Sequence, residues 1–255
     1  MTGDTGQQLM NLHGKTALIT GSAVRVGRAL ALRIAEAGCN VVVHYGASKD
    51  AALETVAQIT ALGVNAQALS ADLGDIQQVG SIIGQAQSLS GSLDVLINNA
   101  SIFPVESFEG ATADSWDGCM DVNLKAPFLL SQGFAAQIQQ GQQGKIVNIL
   151  DASSLRPQDH HFSYTVSKYA LDGLTRAVAH SLAGRNIQVN GVALGAILPN
   201  SNDHDPEAFE QLAGHNPSLR NGHPGDVCNA MMYLLQHADY VTGETIRVDG
   251  GQHLV

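Results

Sequence analysis

A chain of 255 residues is long enough to bury roughly three quarters of its unfolded surface in one core, and a single α/β domain of this length is ordinary. Its formal net charge of −10 argues against nucleic acid or an anionic membrane as partner, since both need a basic surface. The cysteines Cys39, Cys119 and Cys228 are odd in number and lack C-x-x-C spacing, so they read as buried small residues and not as a disulfide framework or zinc site.

Residues 1–12 form a polar tail with no basic stretch followed by an apolar run, so no secretory signal is predicted. No run of 18 apolar residues exists for a membrane span, and a soluble, cytoplasmic protein is expected. From residue 13 the chain alternates. KTALIT (15–20) reads as a strand and 25–37 as a helix ending at Gly38. NVVVHY (40–45) is a strand, 49–62 a helix, VNAQALS (64–70) a strand and 75–89 a helix. SLDVLINNA (92–100) is the fourth strand, followed by a helix over 114–139 and the strand GKIVNIL (144–150). A helix at 163–183 leads to NIQVNGVAL (186–194), and 195–223 shows no clear period. A helix at 224–236 and the strand ETIRVD (244–249) finish the chain.

The strands are continuous Val/Ile/Leu runs, as buried parallel strands are, and their alternation with helices implies right-handed βαβ crossovers. The expected fold is a single Rossmann-type domain over 13–255, a doubly wound parallel sheet of seven strands with helices on both faces. Residues 195–223 are the expected substrate loop.

The first strand runs into Thr20-Gly21-Ser22-Ala23-Val24-Arg25-Val26-Gly27-Arg28 and then directly into a helix. A doubly wound fold places a dinucleotide there: small residues let the backbone approach the pyrophosphate, and free N–H groups of the helix start face its charge. The usual G-x-G-x-x-G is absent; Arg25 stands where a middle glycine is expected. The second strand ends in His44-Tyr45-Gly46-Ala47-Ser48-Lys49, with no carboxylate to hold ribose hydroxyls until Asp50. Arg25, Ser48 and Lys49 suit a 2′-phosphate instead, so NADPH is the expected cofactor. Asp72-Leu73 is placed to meet the adenine edge, and Asn98-Asn99-Ala100 lies near the topological switch point.

Tyr164 and Lys168 are four residues apart in YTVSK, and Asp151 lies thirteen residues before the tyrosine. Positions i and i+4 share a helix face, so the ammonium is expected beside the phenol, drawing its pKa down from about 10 toward the range of a general acid.

With TG-x5-G, NNA, Asn123 in DVNLKAPF, YTVSK and VTGETIRVDGG in this order, the chain resembles the short-chain dehydrogenase/reductase family over about residues 14–255. The resemblance implies Tyr164 as proton donor, Lys168 as the amine that lowers its pKa and holds the nicotinamide ribose, and Asn123 as support for a proton-relay water. It implies cofactor contacts from Gly21, Arg25, Val26, Gly27, His44, Tyr45, Ser48, Asp72, Leu73, Asn99, Ala100, Ser101, Lys168 and Gly195, and a homotetramer through the helices at 114–139 and 163–183.

Where most of that family carries a serine, this chain carries Asp151. A carboxylate only accepts hydrogen bonds, so it repels a carbonyl oxygen and suits ring N–H or amino groups. Together with the arginine-containing turn, HY-x-x-S and NNAS-x-F, this resembles the pteridine reductase branch, which includes bacterial dihydromonapterin and dihydrofolate reductases. On that resemblance Phe103 stacks on a pterin and Ser101 touches both cofactor phosphate and substrate. The family's Pro-Gly after the sixth strand reads Leu194-Gly195 here.

Ser153 and Ser154 leave an alternative open, in which a serine takes the place of Asp151 and the chain is a carbonyl reductase of a ketone or 3-oxoacyl substrate. A non-catalytic NADP-binding sensor is a further alternative, although this chain keeps both the tyrosine and the lysine. His160-His161 precede the helix at 163–183 and are placed to line the pocket, but read first as a polar loop; Trp116 and Met120 read as core or subunit contacts. The acidic stretch 202–207 reads as a solvated lid, with no metal expected.

Overall fold

The structure, a computed structural model, describes residues 9–152, 160–199 and 206–255. Its strands are β1 (Thr16–Ile19), β2 (Asn40–Tyr45), β3 (Ala66–Ser70), β4 (Val95–Asn98), β5 (Gly144–Asp151), β6 (Ile187–Leu194) and β7 (Thr245–Val248). They pair in parallel in the order β3-β2-β1-β4-β5-β6-β7. The strand order reverses between β1 and β4, which opens a crevice at their carboxyl ends. This is the doubly wound Rossmann-type sheet that the alternation of runs implied.

Each strand sends alternate residues to opposite faces. Ala17, Ile19, Val41, Val43, Val95, Ile97, Val147 and Val192 join one apolar cluster. It is covered by α1 (Arg25–Glu36), α2 (Lys49–Ala61) and, near the carboxyl end of the chain, the helix at Pro224–Gln236. Helix α1 meets it with Leu30, Ala31, Ile34 and Ala35, one helical stripe whose alanines allow a close approach. Leu18, Val42, Leu69, Leu96, Ile146 and Val189 face the other way, toward α3 (Ile76–Ser90) and the helices that follow.

The helix predicted over 114–139 is broken. It comprises α4 (Ala113–Met120), a π-helical turn at Asp121–Lys125, and α5 (Ala126–Gln137). The N–H of Ala126 reaches back five residues to the carbonyl of Asp121. Pro127 follows at the start of α5 and has no N–H with which to close an ordinary turn on Asn123. The wide turn leaves Asn123 buried between this helix and α6 (Phe162–Leu182).

Two expectations need correcting. Met10 and Leu12, placed by sequence in the polar tail, are 3% and 0% exposed and belong to the core. Residues 195–223, without visible period, hold a short helix α7 (Pro206–Leu212) and a 3-10 turn at Ala213–His215; helix Pro224–Gln236 is therefore α8. Residues 200–205, most of the expected acidic lid, lie outside the described residues, as do Ser153 and Ser154. Among the described residues no helix is long and apolar enough to cross a membrane, and no group of three His, Cys, Asp or Glu side chains is placed to hold a metal ion.

Candidate active site

The turn between β1 and α1 is shaped by close contacts. Gly21 has a φ of +62°, and a Cβ there would lie 3.0 Å from both Cα and Cβ of Ala100. At Gly27 a Cβ would meet the Gly21 carbonyl at 2.3 Å and Asn99 Nδ2 at 2.6 Å. The turn is pinned from outside. Asn99 Nδ2 donates to the carbonyls of Thr20 (2.9 Å) and Gly21 (3.1 Å). Thr20 Oγ1 accepts from the backbone N–H of Asn99 and Ala100. Gly21 N–H donates to His44 Nδ1 at 3.2 Å, so that nitrogen carries no proton. Burial pushes the imidazole down to about 4, against a backbone contact with Ala71.

No side chain caps α1, and no acid stands in its first turn. Its backbone donors and positive end are thus available to a phosphate group. Arg25, at a left-handed φ of +55°, projects from the exposed start of this helix and donates to the Pro199 carbonyl at 2.5 Å. The contact joins the phosphate cradle to the segment after β6. The residues present fit a dinucleotide: a collapsed glycine turn, an uncapped helix start and a guanidinium at the rim.

Asp151 ends β5, and Tyr164 and Lys168 share the inner face of α6. Tyr164 Oη donates to Asp151 Oδ2 at 2.7 Å. Lys168 Nζ donates to the Ile149 carbonyl at 2.9 Å and lies 5.6 Å from the centre of the Tyr164 ring. Tyrosine and lysine are 7% and 3% exposed. Burial lowers the Lys168 ammonium to about 8, with Asp151 and Cys119 opposing the fall. The phenol behaves opposite to expectation. Burial, then the charge and hydrogen bond of Asp151, hold Tyr164 well above its ordinary value. A carboxylate bonded directly to the hydroxyl favours the protonated phenol more than the lysine favours phenolate.

Asn123 is 1% exposed. Its Oδ1 accepts from the Ile102 N–H at 2.9 Å, and its Nδ2 donates to the Ile102 carbonyl and to Ser167 Oγ, both at 3.0 Å. It ties the loop after β4 to α6. That loop presents Phe103, whose ring meets Tyr164 edge-on at 4.4 Å and 85°. On Phe103 lies the ring of His161, stacked at 3.7 Å and 20°. The polar-loop reading thus suits His160, which is exposed, but not His161, which is half-buried against Phe103.

Against this geometry, a family model for short chain dehydrogenases matches residues 15–208. The chain belongs to the short-chain dehydrogenase family. It is 37% identical over 246 residues to 2-dehydro-3-deoxy-D-gluconate 5-dehydrogenase of Dickeya dadantii (strain 3937), covering 94% of this chain and 96% of the relative. It is 36% identical over 242 residues to a 3-oxoacyl-[acyl-carrier-protein] reductase of Staphylococcus aureus (strain Mu50 / ATCC 700699), covering 94% and 98%. Among solved structures it resembles FolM alternative dihydrofolate reductase 1 from Brucella suis in complex with NADP. The TM-score there is 0.91, with 33% identity and coverage of 96% and 97%.

The remaining residues expected at this short-chain dehydrogenase's site fall around the same crevice. Tyr45 ends β2, with Ser48 and Lys49 exposed just beyond it. Asp72 is exposed and accepts from the Gly74 N–H at 2.8 Å, while Leu73 is buried. Val26 is half-buried on α1 and Ser101 exposed after β4. Gly195 is set by packing: a Cβ there would lie 2.7 Å from Asp249 Cα. Sequence reasoning passed over Thr20 and Ser22, and set the pocket-lining reading of His161 below the polar loop. Thr20 and Ser22 were visible only as small residues of the turn, yet Ser22 is fully buried and its N–H donates to the His44 carbonyl.

Proposed function

We propose that this chain is an NADPH-dependent reductase of a pterin-type substrate: biopterin, a dihydropterin, dihydromonapterin or dihydrofolate. The observation that carries the reading is the 2.7 Å hydrogen bond between Tyr164 and Asp151. A carbonyl oxygen brought to this pair meets a carboxylate that repels it, whereas ring N–H and amino groups find an acceptor. Phe103, edge-on to Tyr164, offers an aromatic surface for a planar ring. Tyr164 holds a transferable proton at Oη because burial and Asp151 keep the phenol protonated. Lys168 places a positive charge beneath it, which eases release of that proton. Gly21, Val26 and Gly27 would hold the pyrophosphate of NADPH, and Arg25 with Ser48 its 2′-phosphate; when bound, NADPH supplies the hydride. Asn123 braces the loop that carries Phe103.

The two sequence relatives favour a second reading, reduction of a ketone or 3-oxoacyl substrate. NADPH oxidation measured with biopterin, dihydrofolate and dihydromonapterin, alongside a 3-oxoacyl thioester and simple ketones, separates the two. Turnover of a pterin is expected; turnover of ketones or thioesters alone overturns the pterin reading. We further propose a cytoplasmic homotetramer. The half-exposed Phe128 and the groove between α5 and α6 support contact between copies.

A further inference from the structure

We propose that His161 is a substrate-positioning residue, which with Phe103 forms a fixed two-ring wall that selects planar, conjugated substrates. It rests on the reading that the substrate lies against Phe103 beside Tyr164. The imidazole is held by its own ring and by the backbone on either side of it. Its Nδ1 lies 2.8 Å from the Pro104 carbonyl, and since a carbonyl only accepts, Nδ1 carries the hydrogen. The backbone around it is stitched to the loop bearing Phe103. Glu106 N–H donates to the His160 carbonyl at 2.8 Å, and Phe162 N–H donates to the Glu106 carbonyl at 3.2 Å. Glu106 Oε1 also accepts from the Ser163 N–H at the start of α6.

The ring so fixed lies nearly parallel to Phe103, while Tyr164 meets Phe103 at 85°. Phe103 thus has an imidazole stacked on it and a phenol at nearly a right angle to its plane, and its tilt is set before a substrate arrives. A flat ring stacking in the crevice gains from a surface of fixed orientation. A flexible aliphatic chain gains much less. His161 acts through Phe103 and need not touch the reacting atoms.

The test is the selectivity of His161→Ala, His161→Phe and His161→Asn, taken as kcat/KM for dihydromonapterin over kcat/KM for a 3-oxoacyl thioester. In His161→Ala this ratio is expected to fall about three- to tenfold, the size of one aromatic pair, with the change in KM more than in kcat. His161→Phe restores the stack and most of the ratio; His161→Asn keeps a donor for Pro104 but no ring and does not. An unchanged ratio in His161→Ala overturns the proposal, as does rescue by Asn and not by Phe. If His161→Ala does not fold, as judged by thermal melting, the comparison of Phe with Asn decides the same question. If the wild-type protein reduces no pterin, the pterin reading fails by itself. The ratio is then taken for an aryl ketone over an aliphatic ketone, where an unchanged value still overturns the role of His161.

Discussion

Tyr164 and Asp151 are joined by a 2.7 Å hydrogen bond from phenol to carboxylate, although thirteen residues and a strand-to-helix transition separate them. The bond orders the phenol proposed as the acid of the site and, together with burial, makes it harder to ionise. Replacing Asp151 by Ser gives the pair a hydroxyl that can donate to a carbonyl oxygen. Pterin turnover is expected to fall by about 10²-fold, while turnover of a ketone is retained or increased. Tyr164→Phe removes the proposed proton donor and is expected to lower both by about 10²- to 10⁴-fold. Steady-state kinetics on both substrate types check this; loss of ketone and pterin turnover alike in Asp151→Ser would count against the assignment.

Lys168 titrates within reach of ordinary buffers, because burial brings it down to about 8. Below that pH the side chain is an ammonium and supports proton release from Tyr164; above it the neutral amine does not. The kcat/KM for reduction should therefore decline above about pH 8, by up to about tenfold per pH unit. Lys168→Ala should be slower and lack this alkaline limb. A limb of the same position in Lys168→Ala would assign it to another group.

His44 makes the fold acid-sensitive. Its folded pKa of about 4 lies below the ordinary 6.5, so between these values the unfolded chain binds more protons than the folded one. Stability then rises with pH across that window and is lost as pH falls from 6.5 through 4. The full contribution is on the order of 3 kcal/mol. Urea unfolding at pH 7 and pH 4.5 should show the loss, and His44→Gln should remove this part of the pH dependence. An equal acid loss in His44→Gln would place the effect elsewhere.

Gly27→Ala tests the cradle. The added Cβ would meet the Gly21 carbonyl at 2.3 Å and Asn99 Nδ2 at 2.6 Å, so backbone must shift, at a cost of about 1–3 kcal/mol. Fluorescence titration with NADPH should show at least about tenfold weaker binding, accompanied by a lower melting temperature. Wild-type affinity in a folded variant would show that the turn does not hold the cofactor.

Much of this architecture is legible in the sequence because it follows from local pattern. Apolar runs such as NVVVHY read as strands buried on both faces, and their alternation with helices implies the parallel, doubly wound sheet that is found. The interval from Asp151 to Tyr164 likewise points to two residues that prove to be hydrogen-bonded. What stays hidden depends on distance. The direction of the Tyr164 shift turns first on the burial of the phenol and then on the carboxylate bonded to it, neither of which spacing alone reveals. His161 looks like any polar residue before a helix, since stacking on Phe103 joins segments 58 positions apart. Met10 and Leu12 are too few to show a period, yet both reach the core.

The π-helical turn at Asp121–Lys125 carries a constraint on how this chain can change length. Because Ala126 reaches back five residues to Asp121, the turn holds one residue more than an α-turn, and deleting one there would let an ordinary i→i−4 bond close in its place. Leu130 and Phe134 would then stay sealed inside, while Asn123, which bonds Ile102 from within the wide turn, would be displaced. A single codon lost here would spare the packing of α5 and fall on the proposed reaction centre.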